Sequence, residues 1–215
     1  MQVKNLIASA IILDLDDTIF ETKSMDKNLF EPFFNHLAST LATTFNQETI
    51  HTITKELWEK PMGEVFHKYA ISFSSMAPSL KILENTYFTL NIKTYDDYDF
   101  IKNLQVKKFL VTSGLTGLQE AKIKSLNIQD DFDQIIINDS SKNSETKQDI
   151  FNQLIIDHTL IPQTTFVVGD NPDSEIKAGN SLNMVTIQIL RNNTAKGKDA
   201  HYYIHSFHEL HSILG

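Results

Sequence analysis

Cysteine is missing from all 215 residues, which excludes disulfides, thiolate metal sites and thiol nucleophiles together. Basic residues are scarce: 19 Lys and Arg stand against 27 Asp and Glu, a net charge of −8 with no basic tract. A nucleic acid polymer is therefore not an expected partner. The N-terminal apolar stretch, Leu6–Leu15, is too short to span a bilayer and runs into acidic residues rather than a small-residue cleavage site. The expectation is a cytoplasmic chain with no membrane partner. Internal repeats and low-complexity tracts are also lacking. What remains, 41% hydrophobic and 21% charged, is the composition of an ordinary globular protein. Its length holds one large domain, or a core domain with a smaller insertion. The acidic balance does not exclude a small phosphate ester, because a metal ion and one or two lysines invert the field inside a cleft.

Apolar strand-like runs recur at Ala8–Asp14, Lys108–Thr112, Gln134–Asn138, Thr165–Gly169 and Met184–Ile189, with a short one at Tyr202–Ile204. Helical patterns at about 116–126, 146–157 and 173–182 separate the later runs, and Phe207–Leu214 closes the chain. Strand alternating with helix predicts an α/β fold, a Rossmann-like, doubly wound parallel sheet. One connection is far too long. A crossover needs only about a dozen residues, yet residues 20–106 carry helical apolar spacing (Phe30, Phe33, Phe34, Leu37, Leu41; Ile50, Ile53, Leu57, Trp58) and few strand signals. We expect a core at 1–19 and 107–215 and a small all-helical cap at 20–106, hinged near Phe20–Lys23 and Tyr95–Tyr98.

Four segments carry chemistry. The first strand ends in Asp14-Leu15-Asp16-Asp17-Thr18, where alternation sends Asp14 and Asp16 the same way. Ligands of an open parallel sheet bind beyond the carboxyl ends of its strands. Paired carboxylates there can hold a hard divalent cation, and one can attack an electrophile; the plain alternative is an Asp-rich turn. Second, Thr112-Ser113-Gly114 ends a strand with hydroxyls and backbone N–H groups able to cradle phosphate oxygens, or simply to cap a helix. Third, Thr146 and Asp149 resemble a capping box, placing Lys147 in a first helical turn, where a cation opposes the macrodipole unless anions lie nearby. Lys142 competes for that role. Fourth, Gly169-Asp170 ends a buried strand, and Asn171-Pro172 opens a helix with Asp173 and Glu175 in its first turn. Asp170 points into the same crevice as Asp14.

In that order these segments resemble the four motifs of the haloacid dehalogenase-like hydrolase superfamily, across residues 8–19 and 107–214. The Asp-x-Asp-x-Thr form resembles its phosphatase branch, and the insertion resembles its helical cap. The resemblance implies a Mg²⁺-dependent phosphatase acting on a small phosphorylated metabolite. Asp14 would be the nucleophile that forms an aspartyl-phosphate, and Asp16 the general acid and base. Thr112, the N–H groups of Ser113 and Gly114, and Lys147 would hold the phosphoryl oxygens. Asp14, Asp170 and the backbone carbonyl of Asp16 would hold the metal, with Thr18, Asn171, Asp173 and Glu175 as supporting residues. The family usually carries a second Asp four or five residues after the first in its last motif; here Glu175 or Asp173 must serve. Asn183 stands where relatives usually have Gly, and Asn tolerates the left-handed conformation.

The cap should close over the leaving group and select substrate, with Phe20, Glu21, Trp58 and Lys60 as inner-face candidates. The series His201, His205, His208 and His211 crosses from strand to helix and reads as scattered surface histidines rather than a metal site. A phosphomutase or phosphotransferase on the same core is the main alternative. A non-catalytic phosphate-binding protein is a weaker one, and the chain order disfavours a receiver-type signalling module. A monomer or weak homodimer is expected.

Overall fold

A computed structural model describes residues 8–58, 60, 62–84, 89–191 and 194–214; Leu6 and Ile7 of the N-terminal apolar stretch lie outside them. Six strands form one sheet: β1 (Ala10–Leu13), β2 (Lys107–Ser113), β3 (Gln134–Asn138), β4 (Thr165–Gly169), β5 (Val185–Ile189) and β6 (Tyr202–Ile204). Their order is β3-β2-β1-β4-β5-β6, every neighbouring pair parallel. The order reverses at β1 and β4, so the crevice beyond their carboxyl ends is the switch point where such sheets bind ligands.

The strands read as continuous apolar runs because both faces are covered. All four residues of β1 are buried. Ile11 and Leu13 join one apolar cluster with Leu110, Phe166, Val168 and Ile187. Ala10 and Ile12 join the opposite one with Phe109, Val111 and Val167. Helix α6 (Thr116–Leu126) supplies Ile123 and Leu126 to the first cluster, and α7 (Lys147–His158) supplies Ile150, Phe151 and Leu154 to the second. Left-handed residues Asn127 and Thr159 end these two helices. Asn183, at φ 57°, takes the left-handed conformation expected of it.

Strand β1 is shorter than the apolar run that marks it. Before it, Ala8 N–H donates to Leu214 O at 3.2 Å and Ser9 N–H to Thr164 O at 2.9 Å, outside the ladder. The pattern over 173–182 is also not one α-helix. A π-helical turn (Pro172–Ile176) precedes a short α8 (Lys177–Ser181). This wider turn carries Glu175, which is buried, and single π turns of this kind concentrate at functional sites. A 3₁₀ turn (Phe207–Leu210), capped by Ser206 and Glu209, leads into the last helix, α9 (His211–Leu214).

The long connection is helical, as its spacing predicts: α1 (Glu31–Leu41), α2 (Gln47–Glu56), α3 (Met62–Lys68), α4 (Ala77–Glu84) and α5 (Tyr98–Asn103). Its Phe33, Leu37 and Ile53 belong to the same apolar cluster as the sheet face, and α4 packs on α6. Its two ends run side by side: Phe20 bridges Thr94, and Tyr95 N–H donates to Ile19 O at 2.9 Å.

Behind this crossing sits a buried ion pair that the sequence did not announce. Arg191 grips Asp97 with two bonds of 2.7 and 2.8 Å, its guanidinium between the rings of Tyr95 and Phe207. Asp97 also accepts from Ser206 Oγ at 2.7 Å and Phe207 N–H at 2.8 Å. Burial works to raise the Asp97 pKa, but the bonds from Arg191, Ser206 and Phe207 outweigh it and hold the carboxyl below its ordinary value. Its stabilising contribution is therefore complete above the ordinary carboxylate pKa and is lost as pH falls through the depressed value. Arg191→Met leaves Asp97 buried without its partner and should cost about 3–5 kcal/mol in urea unfolding at neutral pH. The deficit should narrow in acid as Asp97 protonates. A neutral-pH loss under about 1 kcal/mol, typical of an exposed pair, would show that this contact contributes little.

Candidate active site

One cavity lies over the carboxyl ends of β1 and β4, and Asp14, Asp16, Lys147, Asp170 and Glu175 all line it. Leu13 pairs with Leu110 on one side and Val168 on the other. Asp14 N–H donates to Val168 O at 3.0 Å, which extends the strand's path by one residue and sets Asp14 at the rim. Asp170 follows the last residue of β4. Its backbone carbonyl accepts from Gln188 Nε2 of β5 at 2.8 Å, and Gln188 is fully buried.

Lys147 joins these strands. It is the first residue of α7, whose N-cap Thr146 forms the expected capping box with Asp149. Its Nζ donates to Asp14 Oδ1 at 2.6 Å and to Glu175 Oε1. Two buried carboxylates thus compensate a cation that opposes the helix macrodipole, and they hold the lysine pKa above its ordinary value although burial works to lower it. Lys142 lies elsewhere, paired with Asp139 at 3.2 Å and more than half exposed. Glu175, not Asp173, faces the site: Asp173 is exposed, with its N–H donating to the Asn171 side chain at 2.9 Å. Gly169 makes the approach of Glu175 possible, since a Cβ there would fall 2.6 Å from Glu175 Cγ.

Negative charge exceeds positive charge at this rim. Burial pushes Asp14 up, Lys147 pulls it back, and Glu175 and Asp16 push it up again, to about 7. Burial, then Asp14, Glu175 and Asp17, push Asp170 up to about 8. Among the described residues nothing donates to the Asp170 carboxylate, and Glu175 Oε2 is buried without a partner. Asp170, with no donor to its carboxylate and Asp14 beside it, fits Mg²⁺, which usually takes one or two carboxylates and completes its shell with other oxygens. Among the described residues no three His, Asp or Glu side chains form a ready ligand set. The Asp16 carboxylate is turned elsewhere. Only its backbone carbonyl, the atom that the resemblance implies, is left for a metal.

That carboxylate meets α6 instead. Lys122 Nζ donates to Asp16 Oδ1 at 2.7 Å and Gln119 Nε2 to Oδ2 at 2.8 Å, with Thr22 Oγ1 at 3.3 Å. Gln119 Nε2 also reaches Thr112 Oγ1 at 2.5 Å. Thr112 is fully buried and stands behind Gln119, outside the residues that line the cavity, whereas Ser113 and Gly114 line it. The Gly114 N–H, an expected phosphate donor, is spent on Asn138 O at 3.0 Å. Gly114 itself takes φ +152°, a conformation open to glycine. Thr18 is buried away from the cavity, its carbonyl accepting from Arg191 at 3.4 Å.

The family model of haloacid dehalogenase-like hydrolases matches residues 11–189. The chain belongs to this family. It is similar to the glyceraldehyde 3-phosphate phosphatase of Methanocaldococcus jannaschii, 26% identical over 114 residues, which are 53% of this chain and 50% of that protein. The match thus spans half the length of that curated relative. Among solved structures it is similar to a haloacid dehalogenase-like family hydrolase of Streptococcus pneumoniae (TM-score 0.68, 19% identity, 97% of this chain and 99% of the other). A HAD hydrolase of Bacillus subtilis, bound to magnesium, gives TM-score 0.64 at 18% identity, covering 97% and 99%. At such identities the structural likeness is one of fold.

In this haloacid dehalogenase-like hydrolase, sequence reading missed Gln119 and Lys122. Their signal was present: with Ile123 and Leu126 they occupy the i, i+3, i+4, i+7 inner stripe of α6, and all four are buried. A polar pair on an apolar stripe needs a partner inside. Of the four inner-face candidates, Trp58 and Lys60 line the cavity. Phe20 is fully buried under Lys122, and Glu21 is outside the lining. His201 Nδ1 is occupied by Thr186 at 2.8 Å, His205 Nδ1 sits 3.3 Å from Leu190 O, His208 packs edge-on to Phe100, and His211 is exposed.

Because Glu175 packs against the bare Cα of Gly169, Gly169→Ala should cost about 1–3 kcal/mol, the usual range for overpacking, in denaturant unfolding. An unchanged midpoint would mean that the π turn adjusts freely and that the close approach is incidental.

Proposed function

We propose that this chain is a Mg²⁺-dependent phosphatase that hydrolyses a small-molecule phosphate monoester through a phosphorylated Asp14. The observation that carries the reading is the Asp14–Lys147–Glu175 chain of contacts at a rim shared with Asp170. Membership of a hydrolase family, a phosphatase among its relatives and a magnesium-bound neighbour support it.

Lys147 occupies Asp14 Oδ1, so Oδ2 is the oxygen left to attack phosphorus. That attack forms the acyl-phosphate bond and breaks the ester P–O bond. The leaving oxygen takes a proton from Asp16. The Asp16 carboxylate then removes a proton from the water that attacks the phosphoaspartate, releasing inorganic phosphate and restoring Asp14. Gln119 and Lys122 orient Asp16 for both transfers. Lys147 also steadies phosphoryl oxygens, whereas Thr112, buried behind Gln119, steadies that amide rather than the phosphate. Mg²⁺ bound by Asp14, Asp170 and the Asp16 carbonyl would supply neutralising charge between nucleophile and phosphate.

Asp14→Asn should lower Mg²⁺-dependent release of p-nitrophenol from its phosphate by about 10⁴-fold or more, with an unchanged thermal melt. EDTA should stop the wild-type reaction and Mg²⁺ restore it. Retained activity in Asp14→Asn would remove the nucleophile assignment. A second expectation separates Asp16 from a structural acid. Asp16→Asn should slow alkyl phosphates by about 10²–10⁴-fold and p-nitrophenyl phosphate less, because a good leaving group needs no proton. Lys122→Met should follow the same pattern more weakly. Equal losses on both esters would assign Lys122 to folding alone.

A further inference from the structure

From the composition of the cavity wall opposite Asp14, we infer that the leaving alcohol carries a flat aromatic body with an anionic or acceptor edge, rather than a polyol. The inference rests on the phosphatase reading and deepens it. The connection 20–106 roofs the cavity with half-buried apolar side chains, among them Phe34, Trp58, Met62 and Phe73, and Leu118 of α6 continues that surface. Phe34 and Trp58 lie with centroids 5.1 Å apart and planes tilted by 32°. Lys27 Nζ lies 5.4 Å from the Trp58 ring, and Phe30 meets that ring edge-on at 5.1 Å.

Polar groups on this wall are few. Among the described residues of 20–106 that line the cavity, Lys60 is the only charged one and Thr22 the only hydroxyl. The Thr22 hydroxyl already donates to Asp16. Among the described residues, Lys60 pairs loosely with Glu64, at 3.9 Å between exposed side chains.

A sugar or triose placed against this roof would exchange water for carbon around most of its hydroxyls, with Ser140, beside Gly63, as the nearest hydroxyl to receive a hydrogen bond. An aromatic ring loses little by leaving water, gains stacking and edge contacts with Trp58 and Phe34, and can offer a negative or acceptor edge to Lys60. The wall is continuous with the acidic rim, because a single cavity joins them. One phosphate monoester can therefore lie across both. The wall chemistry thus disfavours a triose phosphate like that named for the curated relative.

Two measurements test this. In the first, the wild type with Mg²⁺ is given 2-phenylethyl, ethyl and glycerol phosphates, alkyl esters that differ chiefly in the body behind the ester oxygen. The kcat/KM for 2-phenylethyl phosphate should exceed the other two by about tenfold or more, as a buried ring outweighs the 10-fold that one methylene can give. Trp58→Ala and Phe34→Ala should shrink that ratio. Equal or reversed preference overturns the inference while leaving the phosphatase reading intact, as does a variant that lowers all three esters alike. No turnover of any ester overturns both.

The second needs no change in the wall, because Trp58 is the only tryptophan of the chain. Its emission should shift on adding 3-phenylpropylphosphonate with Mg²⁺ and stay unchanged with methylphosphonate. The same response to both, or to neither, overturns the inference.

Discussion

Lys147 Nζ sits where three segments meet: the end of β1 through Asp14, the π turn after β4 through Glu175, and the start of α7 that bears the lysine itself. Its two partners lie 133 and 28 residues away along the chain. Each feature nearby follows from keeping these charges together out of water. A lone buried carboxylate is costly enough that it usually takes up a proton instead. Lys147 offsets this by direct contact for Asp14 and Glu175 and only weakly for Asp170, and the excess negative charge at the rim is what a divalent cation would relieve. The glycine at 169, the π turn and the capping box are the backbone conditions that allow two carboxylates to meet at one nitrogen.

The fold was largely legible because it depends on burial, and burial leaves a pattern. Strands covered on both faces read as unbroken apolar runs, so β3, β4 and β6 fall where the sequence places them, and the helical spacing of 20–106 was equally plain. Ends were less visible. Ala8 and Ser9 look like strand but bond to the chain terminus and to Thr164, which apolar content cannot reveal. The turn at 172–176 reads as helix because Asn-Pro and two acids suit any helical start; its wider π geometry depends on what Glu175 reaches in space.

The site was legible where a residue ends a strand. Asp14 and Asp170 come together because parallel neighbours must finish at the same edge. Alternatives within one short segment were not separable: Lys142 or Lys147, Asp173 or Glu175. Asp173 and Glu175 differ in which way a helical turn faces, whereas Lys142 lies in the turn before α7 and Lys147 on its first residue; the contact between Lys147 and Glu175 brings one of each together. Gln119 and Lys122 escaped notice because polar residues inside a helical pattern are usually read as its wet face. The Asp97–Arg191 pair joins residues 94 positions apart, beyond any local motif.

The adjacency of Phe20 and Thr94 has an evolutionary meaning. The chain leaves the sheet and returns to it through neighbouring crossings, so β1 and β2 keep their register whatever is strung between them. Lengthening such an excursion adds only a slowly growing closure entropy. The roof over the cavity can accordingly be rebuilt, shortened or exchanged by descent while the acidic rim beneath it stays as it is. Diversification of what is recognised is thereby uncoupled from preservation of what is done to it.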